Sequence, residues 1–336
     1  VTPSNAGDPE LGILPLVKWD GKPPGTTSWD GSVTEAGTRM RSYYGRPVIK
    51  EPVWEPEIPV YFFTGGLGGA SAVLSMVARL AGHETLARRT LFVEAGAELL
   101  SPLLLTADLG RPERFLNMLR VFKVTSPMSV GSWVMTFSTL SSSTAAALEF
   151  LELGEPVKLG CEAVAALLGP AMATYTAVLV ANTAVPVWHD ARHSLPPLFA
   201  ASSLASAGAC AAMIVPPREA GPARRLAIAA TAATLALGQA MEQRLGMVGE
   251  PYRRGLPGIL NRAAKGLTAA GAGLLAIRGR RSRGAAAAGG ALLLAGEMSL
   301  RWAVFKAGDA SARDPKYTVL PQRERAQQRG THAQEH

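Results

Sequence analysis

Apolar residues in this chain fall in blocks of roughly 20, separated by short breaks rich in Gly, Pro and Arg. About 20 residues at 1.5 Å rise cover a hydrocarbon core ~30 Å thick. The blocks run over 58–82, 90–108, 129–151, 161–184, 196–216, 223–244, 257–278 and 284–305. Several are dominated by Ala and Gly, which lowers their hydropathy but suits close helix packing in lipid. The pattern predicts an all-α polytopic membrane protein with eight transmembrane helices over 58–306. A polar arm, 1–57, precedes them and a polar tail, 307–336, follows. An even number of spans puts both termini on one side, side A, with loops 109–128, 185–195 and 245–256. Side B then holds the shorter loops 83–89, 152–160, 217–222 and 279–283.

Composition agrees with this pattern. The 336 residues are 48% hydrophobic and 18% charged. That length would allow two soluble domains, but apolar residues gathered in span-length blocks argue against them. The net charge of +8 is better matched to anionic lipid headgroups than to nucleic acid, because no basic patch is interleaved with aromatics for stacking. Lys and Arg in the short loops favour side B as cytoplasmic. Residues 1–57 lack an apolar signal segment, and an uncleaved arm of that length would have to be translocated. The two arguments point opposite ways. The arm repeats Trp19-Asp20-Gly21 at Trp29-Asp30-Gly31 and continues to Trp54. It reads either as a disordered tail or, preferably, as an extended arm that docks on a partner subunit through its aromatics.

The candidate chemistry narrows by exclusion. Intramembrane haem wants axial ligands, commonly His, yet none of the five histidines lies in mid-span. Cys161 and Cys210 are too few for an iron–sulfur cluster, and His189 with His193 supply only two metal ligands. The chain is therefore expected to hold no haem, no iron–sulfur cluster and no metal.

Polar residues inside the spans are more informative. A charge at mid-membrane costs at least ~2.5–3.5 kcal/mol. Glu94 and Glu98, at i and i+4, share one face of the second span, and Asp108 follows about 15 Å further along. They outline a proton path from side B to side A; the plainer reading pairs Glu94 with Arg88 or Arg89. Tyr175 and Asn182 share a face of the fourth span that leads to Trp188-His189-Asp190. A hydroxyl, an amide and an imidazole near a membrane mouth suit the carbonyl oxygens of a quinone, although ordinary interhelical hydrogen bonding would also account for Tyr175. Glu297 and Arg301, again at i and i+4, are expected to form a structural ion pair. Asp108 and Arg111 straddle Leu109-Gly110, where Gly supplies a helix-ending turn and Pro112 prevents continuation.

The segment Asp108-Leu109-Gly110-Arg111-Pro112-Glu113-Arg114-Phe115, continuing to Trp133, resembles the NrfD/PsrC family of polysulfide-reductase-like membrane subunits. Asn182-Thr183-Ala184-Val185-Pro186-Val187-Trp188-His189 and Arg301-Trp302 resemble it more softly, and the similarity covers roughly 55–310. The resemblance implies eight transmembrane helices in two four-helix bundles in the plasma membrane. It also implies no metal cofactor in the chain itself, and a quinone site at the face that meets a ferredoxin-like iron–sulfur subunit, which in turn serves a molybdopterin catalytic subunit. A menaquinone-type ring would then sit at side A near Tyr175, Asn182, Trp188 and Arg111. Asp108 or His189 would exchange the proton, with Glu94 and Glu98 as supply from side B. An ion- or proton-translocating subunit without a quinone site is the alternative, and a purely structural anchor a third.

Overall fold

The computed structural model describes Ile49, residues 56–108, Glu113 and residues 115–322. The tryptophan arm, Arg111 and the last part of the tail lie outside the described residues. Among the described residues every regular element is helical. In chain order these are α1 (Glu57–Leu80), α2 (Glu84–Asp108), α3 (Phe115–Met118), α4 (Pro127–Leu151) and α5 (Glu155–Ala181). Then come α6 (Pro186–Asp190), α7 (Leu195–Ile214), α8 (Gly221–Arg244), α9 (Gly255–Ile277) and α10 (Arg283–Arg313).

Each apolar block of the sequence corresponds to one long helix. By length and composition α1, α2, α5 and α7 qualify as membrane spans. The other long helices are diluted by hydroxyl, small and charged residues. The ends depart from expectation where a helix continues beyond its apolar stretch. α2 begins at Glu84, six residues before its block, and α10 runs through the expected boundary at 306 as far as Arg313. Local chemistry sets several ends. Ser126 caps α4 by accepting the Ser129 N–H at 3.4 Å, with Pro127 beginning the helix. Ser282 caps α10 in the same way. Gly82, at φ +75°, turns the chain out of α1.

α1 packs on α2 and α5, and α4 on α5 and α2; α7 packs on α8 and α10, and α9 on α10 and α8. Contacts of α1 with α7 and α10, and of α5 with α7, join the two sets. The α1–α5 crossing is close enough that a Cβ on Gly69 would meet the Gly169 carbonyl oxygen at 2.5 Å, so small residues set the spacing. Trp188 of α6 is fully buried beside Gly308, donates its indole N–H to the Val304 carbonyl at 2.8 Å and lies against Phe305. It wedges the α5–α7 connection onto α10.

The distribution of polarity is inverted relative to a water-soluble bundle. Leu80, Leu103, Leu140, Phe150, Leu167 and Ile277 are exposed, while Glu94, Glu98, Glu162, Glu297, Arg301 and many serines are buried. An apolar exterior around a polar interior is what a hydrocarbon surround favours. The chain is an integral membrane protein.

Candidate functional site

The interior of α1, α2, α4 and α5 holds a polar column that starts from an ion cluster at one end. Arg79, in the last turn of α1, makes a two-pronged contact with Glu162 of α5, at 2.6 Å from Nε and 2.7 Å from a terminal nitrogen. It also reaches Glu84 and Glu149. Lys158 bonds Glu149 at 2.7 Å and Glu155 at 2.6 Å, and Arg88 bonds Glu149 at 3.2 Å. Planar guanidinium matches carboxylate with two parallel hydrogen bonds, which is why an Arg stands at the buried centre of this cluster. Arg89 donates to the Ile214 carbonyl, tying the start of α2 to the end of α7. Both basic residues expected to neutralise Glu94 are thus engaged elsewhere.

Deeper in the bundle, Glu94 is buried and its Oε1 has no hydrogen-bond partner among the described residues. It lies within electrostatic reach of Glu98 on its own helix and of Glu162 on α5. Glu98 is fully buried and accepts hydrogen bonds from Ser138 Oγ at 3.1 Å and Thr139 Oγ1 at 3.4 Å, both on α4. Gly68 of α1 makes room for it: a Cβ there would meet Glu98 Cγ at 2.9 Å. Above Glu98, Thr64 of α1 and Ser101 of α2 share a hydrogen bond of 2.9 Å. The Tyr61 hydroxyl is buried with no hydrogen-bond partner among the described residues and lies within electrostatic reach of Glu98 and Tyr175. The column therefore runs from an ion cluster, through two carboxylates, to two phenols.

Between them, α2 and α5 carry the rest toward the other end. Tyr175 packs against Gly131 of α4, whose missing side chain leaves space for the ring, and against the core that includes Tyr61 and Met172. Asp108 closes α2 and is partly buried.

The family model of polysulphide reductase, NrfD, matches residues 48–241, more than half of the chain and the whole of this column. The chain belongs to the NrfD family. No curated protein matches it. α9, α10 and the tail of this NrfD-family subunit lie beyond the matched residues.

The structure divides the residues expected at the quinone site. Tyr175 faces the column. Asn182 is exposed at the end of α5, where its backbone N–H bonds the Val178 carbonyl at 3.1 Å and the next N–H, of Thr183, bonds the Val180 carbonyl at 3.2 Å. Trp188 has its indole N–H committed to Val304. His189 is exposed and, with Thr183, Asp190, Tyr317 and Gln322, lines a hollow of about 230 Å³. The C-terminal segment forms one wall of that hollow through Tyr317, Thr318 and Gln322, and a clamp holds the segment down. Lys316 Nζ lies 2.9 Å from Glu250 Oε2, the Tyr317 hydroxyl donates to the same oxygen at 3.2 Å, and Arg254 also pairs with Glu250. The Lys316 hydrogen bond, aided by Arg254, holds the Glu250 carboxyl below its usual range, and Glu250 in turn raises Lys316.

Glu297 and Arg301, read from the sequence as an ion pair, lie within electrostatic reach of each other, but their hydrogen bonds go to α7. Glu297 Oε2 accepts from Ser202 at 2.6 Å, whereas Arg301 donates to the Phe199 carbonyl at 3.2 Å and to Ser203 Oγ at 3.0 Å. Its guanidinium lies 3.7 Å from the centre of the Phe199 ring. Spacing at i and i+4 permits a pair, but hydroxyls, a carbonyl and an aromatic face on α7 compete for the same groups.

Sequence reasoning missed Arg79 and Glu162, which stand 83 positions apart, and the Tyr61 hydroxyl. The signal for Glu162 was a second acid within an apolar helix. The signal for Tyr61 was a lone polar head in Val60-Tyr61-Phe62-Phe63. Among the described residues no group of three or more His, Cys, Asp or Glu side chains is arranged to hold a metal ion.

Proposed function

We propose that this NrfD-family subunit is the quinone-reactive membrane anchor of a molybdopterin and iron–sulfur oxidoreductase complex, passing electrons between a ferredoxin-like subunit and membrane quinone, of menaquinone type, with proton transfer. The packing of α1, α2, α4 and α5 as one set and α7 to α10 as another supports eight spans in two four-helix bundles, and the plasma membrane is the proposed location. The observation that carries the functional reading is the column of carboxylates Glu162, Glu94 and Glu98 beneath the unpartnered Tyr61 hydroxyl. Glu162 is paired with Arg79, but Glu94 and Glu98 have no cation partner among the described residues, and such buried carboxylates are costly in lipid and mark proton or ion routes.

The donor set fits a quinone. Its ring oxygens need donors in both redox states, and a buried hydroxyl without a partner is such a donor. When bound, the quinone supplies two-electron, two-proton chemistry. Tyr61 and Tyr175 would hold its ring oxygens, and Asp108 would hold or release a proton at the end of α2. Glu98 holds a proton against Ser138 and Thr139, and Glu94 replenishes it from the Glu162 end. His189 serves the exit of protons through the hollow it lines beneath the C-terminal segment.

The test is quinone-dependent turnover of the intact complex in Asp108→Asn, Glu98→Gln and His189→Ala variants. Loss of turnover in the first two with an assembled complex is expected; wild-type rates in all three sink the site. The same carboxylates would also suit proton translocation without a quinone. Extracting lipid-soluble quinone from the purified complex separates the readings, since that alternative requires none.

A further inference from the structure

The second set of helices buries a carboxylate that the column does not use and that lies outside the residues matched to the family. Glu297 of α10 is fully buried; Ser202 occupies its Oε2, and its Oε1 has no partner among the described residues. Glu297 also lines a hollow of about 20 Å³ between α8 and α9, together with Thr234, Asn261, Lys265 and Thr268. A water needs about 10–15 Å³ and two to four polar partners. The hollow thus has room for one water, and the leftover carboxylate oxygen gives that water an acceptor.

Outward from the hollow the polar groups continue. Asn261 donates to Glu242 Oε1 at 2.8 Å, and Lys265 Nζ stands 2.8 Å from the same oxygen. Lys265 is a third exposed and also reaches Gln239 at 3.4 Å. Tyr252, whose hydroxyl is buried, adjoins Glu242, and its backbone carbonyl accepts from Asn261 at 3.1 Å. The charged groups that face Glu297 are Arg301 on its own helix and, across the hollow, Lys265 on α9, which is itself paired with Glu242 of α8; α7 contributes the Ser202 hydroxyl.

We infer that Glu297 is a proton-exchange site, served by one water from the Glu242–Lys265 end of α8 and α9 and independent of the Glu94–Glu98 column. In the step, a hydrated proton at that end passes to the hollow water, which gives a proton to Glu297 Oε1. An O–H bond forms at the carboxylate, the water is restored, and no electrons move. Arg301 keeps its proton throughout: it balances the ionised carboxylate and rests on the Phe199 ring when Glu297 is neutral.

Infrared spectroscopy of the purified full chain, moved from H₂O to D₂O, tests this without recourse to turnover. The expected result is a carboxyl C=O band that is absent in Glu297→Gln and shifts on deuteration. Lys265→Met slows that shift on the order of 10-fold, roughly 1.4 kcal/mol in barrier, while the band lost in Glu98→Gln exchanges at its original rate. Should Glu297→Gln fail to fold, Glu297→Asp identifies the band by its displacement. Three results overturn the inference: no carboxyl band belonging to Glu297, a band that resists deuteration, or exchange that Lys265→Met leaves unchanged.

Discussion

Both sets of helices bury acids in a hydrocarbon surround, and they meet that cost differently. In α1, α2, α4 and α5 the cations Arg79, Arg88 and Lys158 gather at one end, leaving deeper Glu98 hydrogen-bonded to hydroxyls and Glu94 with one oxygen unpartnered among the described residues. In α7 to α10 a cation, Arg301, is itself in the interior, one turn from the acid Glu297, and both are held by α7. The first arrangement separates structural charge from mobile charge, so the deep carboxylates are left to exchange protons. The second keeps charge compensation and proton exchange in a single place. An interior ion costs stability least when its partners are complete, and an atom left without one is costly but open to chemistry.

Removing Arg301 should break the second arrangement most severely. Arg301→Ala strands a buried carboxylate and empties the Phe199 face, and a loss of about 3–5 kcal/mol is expected. Thermal unfolding in detergent, with Arg301→Lys as the conservative comparison, measures it. Lys should recover only part, because it lacks the planar group that covers the ring.

Glu162→Ala should come next, with a loss of about 3 kcal/mol as the buried Arg79 guanidinium loses its two-pronged partner. If Glu162→Gln restores stability but not turnover, the ion cluster and the proton column share this residue. Equal recovery of both would confine Glu162 to structure.

Glu98→Gln sharpens the contrast from the other direction. The amide keeps the size of the side chain and still accepts from Ser138, so unfolding should barely change, while quinone-linked turnover falls on the order of 100-fold. Stability and activity part company at Glu98 and move together at Arg301.

The smallest effect belongs to the C-terminal clamp, which both ends of the comparison can serve as a control. The Glu250 carboxyl is held below its ordinary value in the folded chain, so its contribution is present above the unfolded value and lost as pH falls through the folded one. Glu250→Gln should raise proteolytic nicking near residues 314–322 at neutral pH. Wild type and variant should converge in acid.

The helices were legible because burial in lipid leaves a coarse one-dimensional record: apolar blocks of span length, closed by Gly and Pro and by caps such as Ser126 and Ser282. The same record reached the family through the Asp108–Phe115 segment. It also singled out Glu94, Glu98, Glu297 and Arg301, since any charge in such a block is conspicuous. It failed on partners. An i, i+4 spacing made Glu297 and Arg301 neighbours on one helix, yet α7 offered each of them better company. Arg88 and Arg89 were the nearest cations to Glu94 in sequence, but Glu149 and the end of α7 hold them. Trp188 read as a ring-facing residue and is a wedge, because only the approach of α10 through Gly308 supplies its socket.

What the sequence by itself determined is therefore which segments cross an apolar medium and which charges they carry into it, since hydrophobicity and helical rise are local properties. Tertiary structure alone decided which charges are neutralised and which stay unpartnered. Pairing depends on groups 83 to 102 positions apart, as with Arg79 and Glu162 or Arg301 and Phe199. Whether a buried carboxylate is held in a structural contact or left able to exchange protons follows from those distant neighbours.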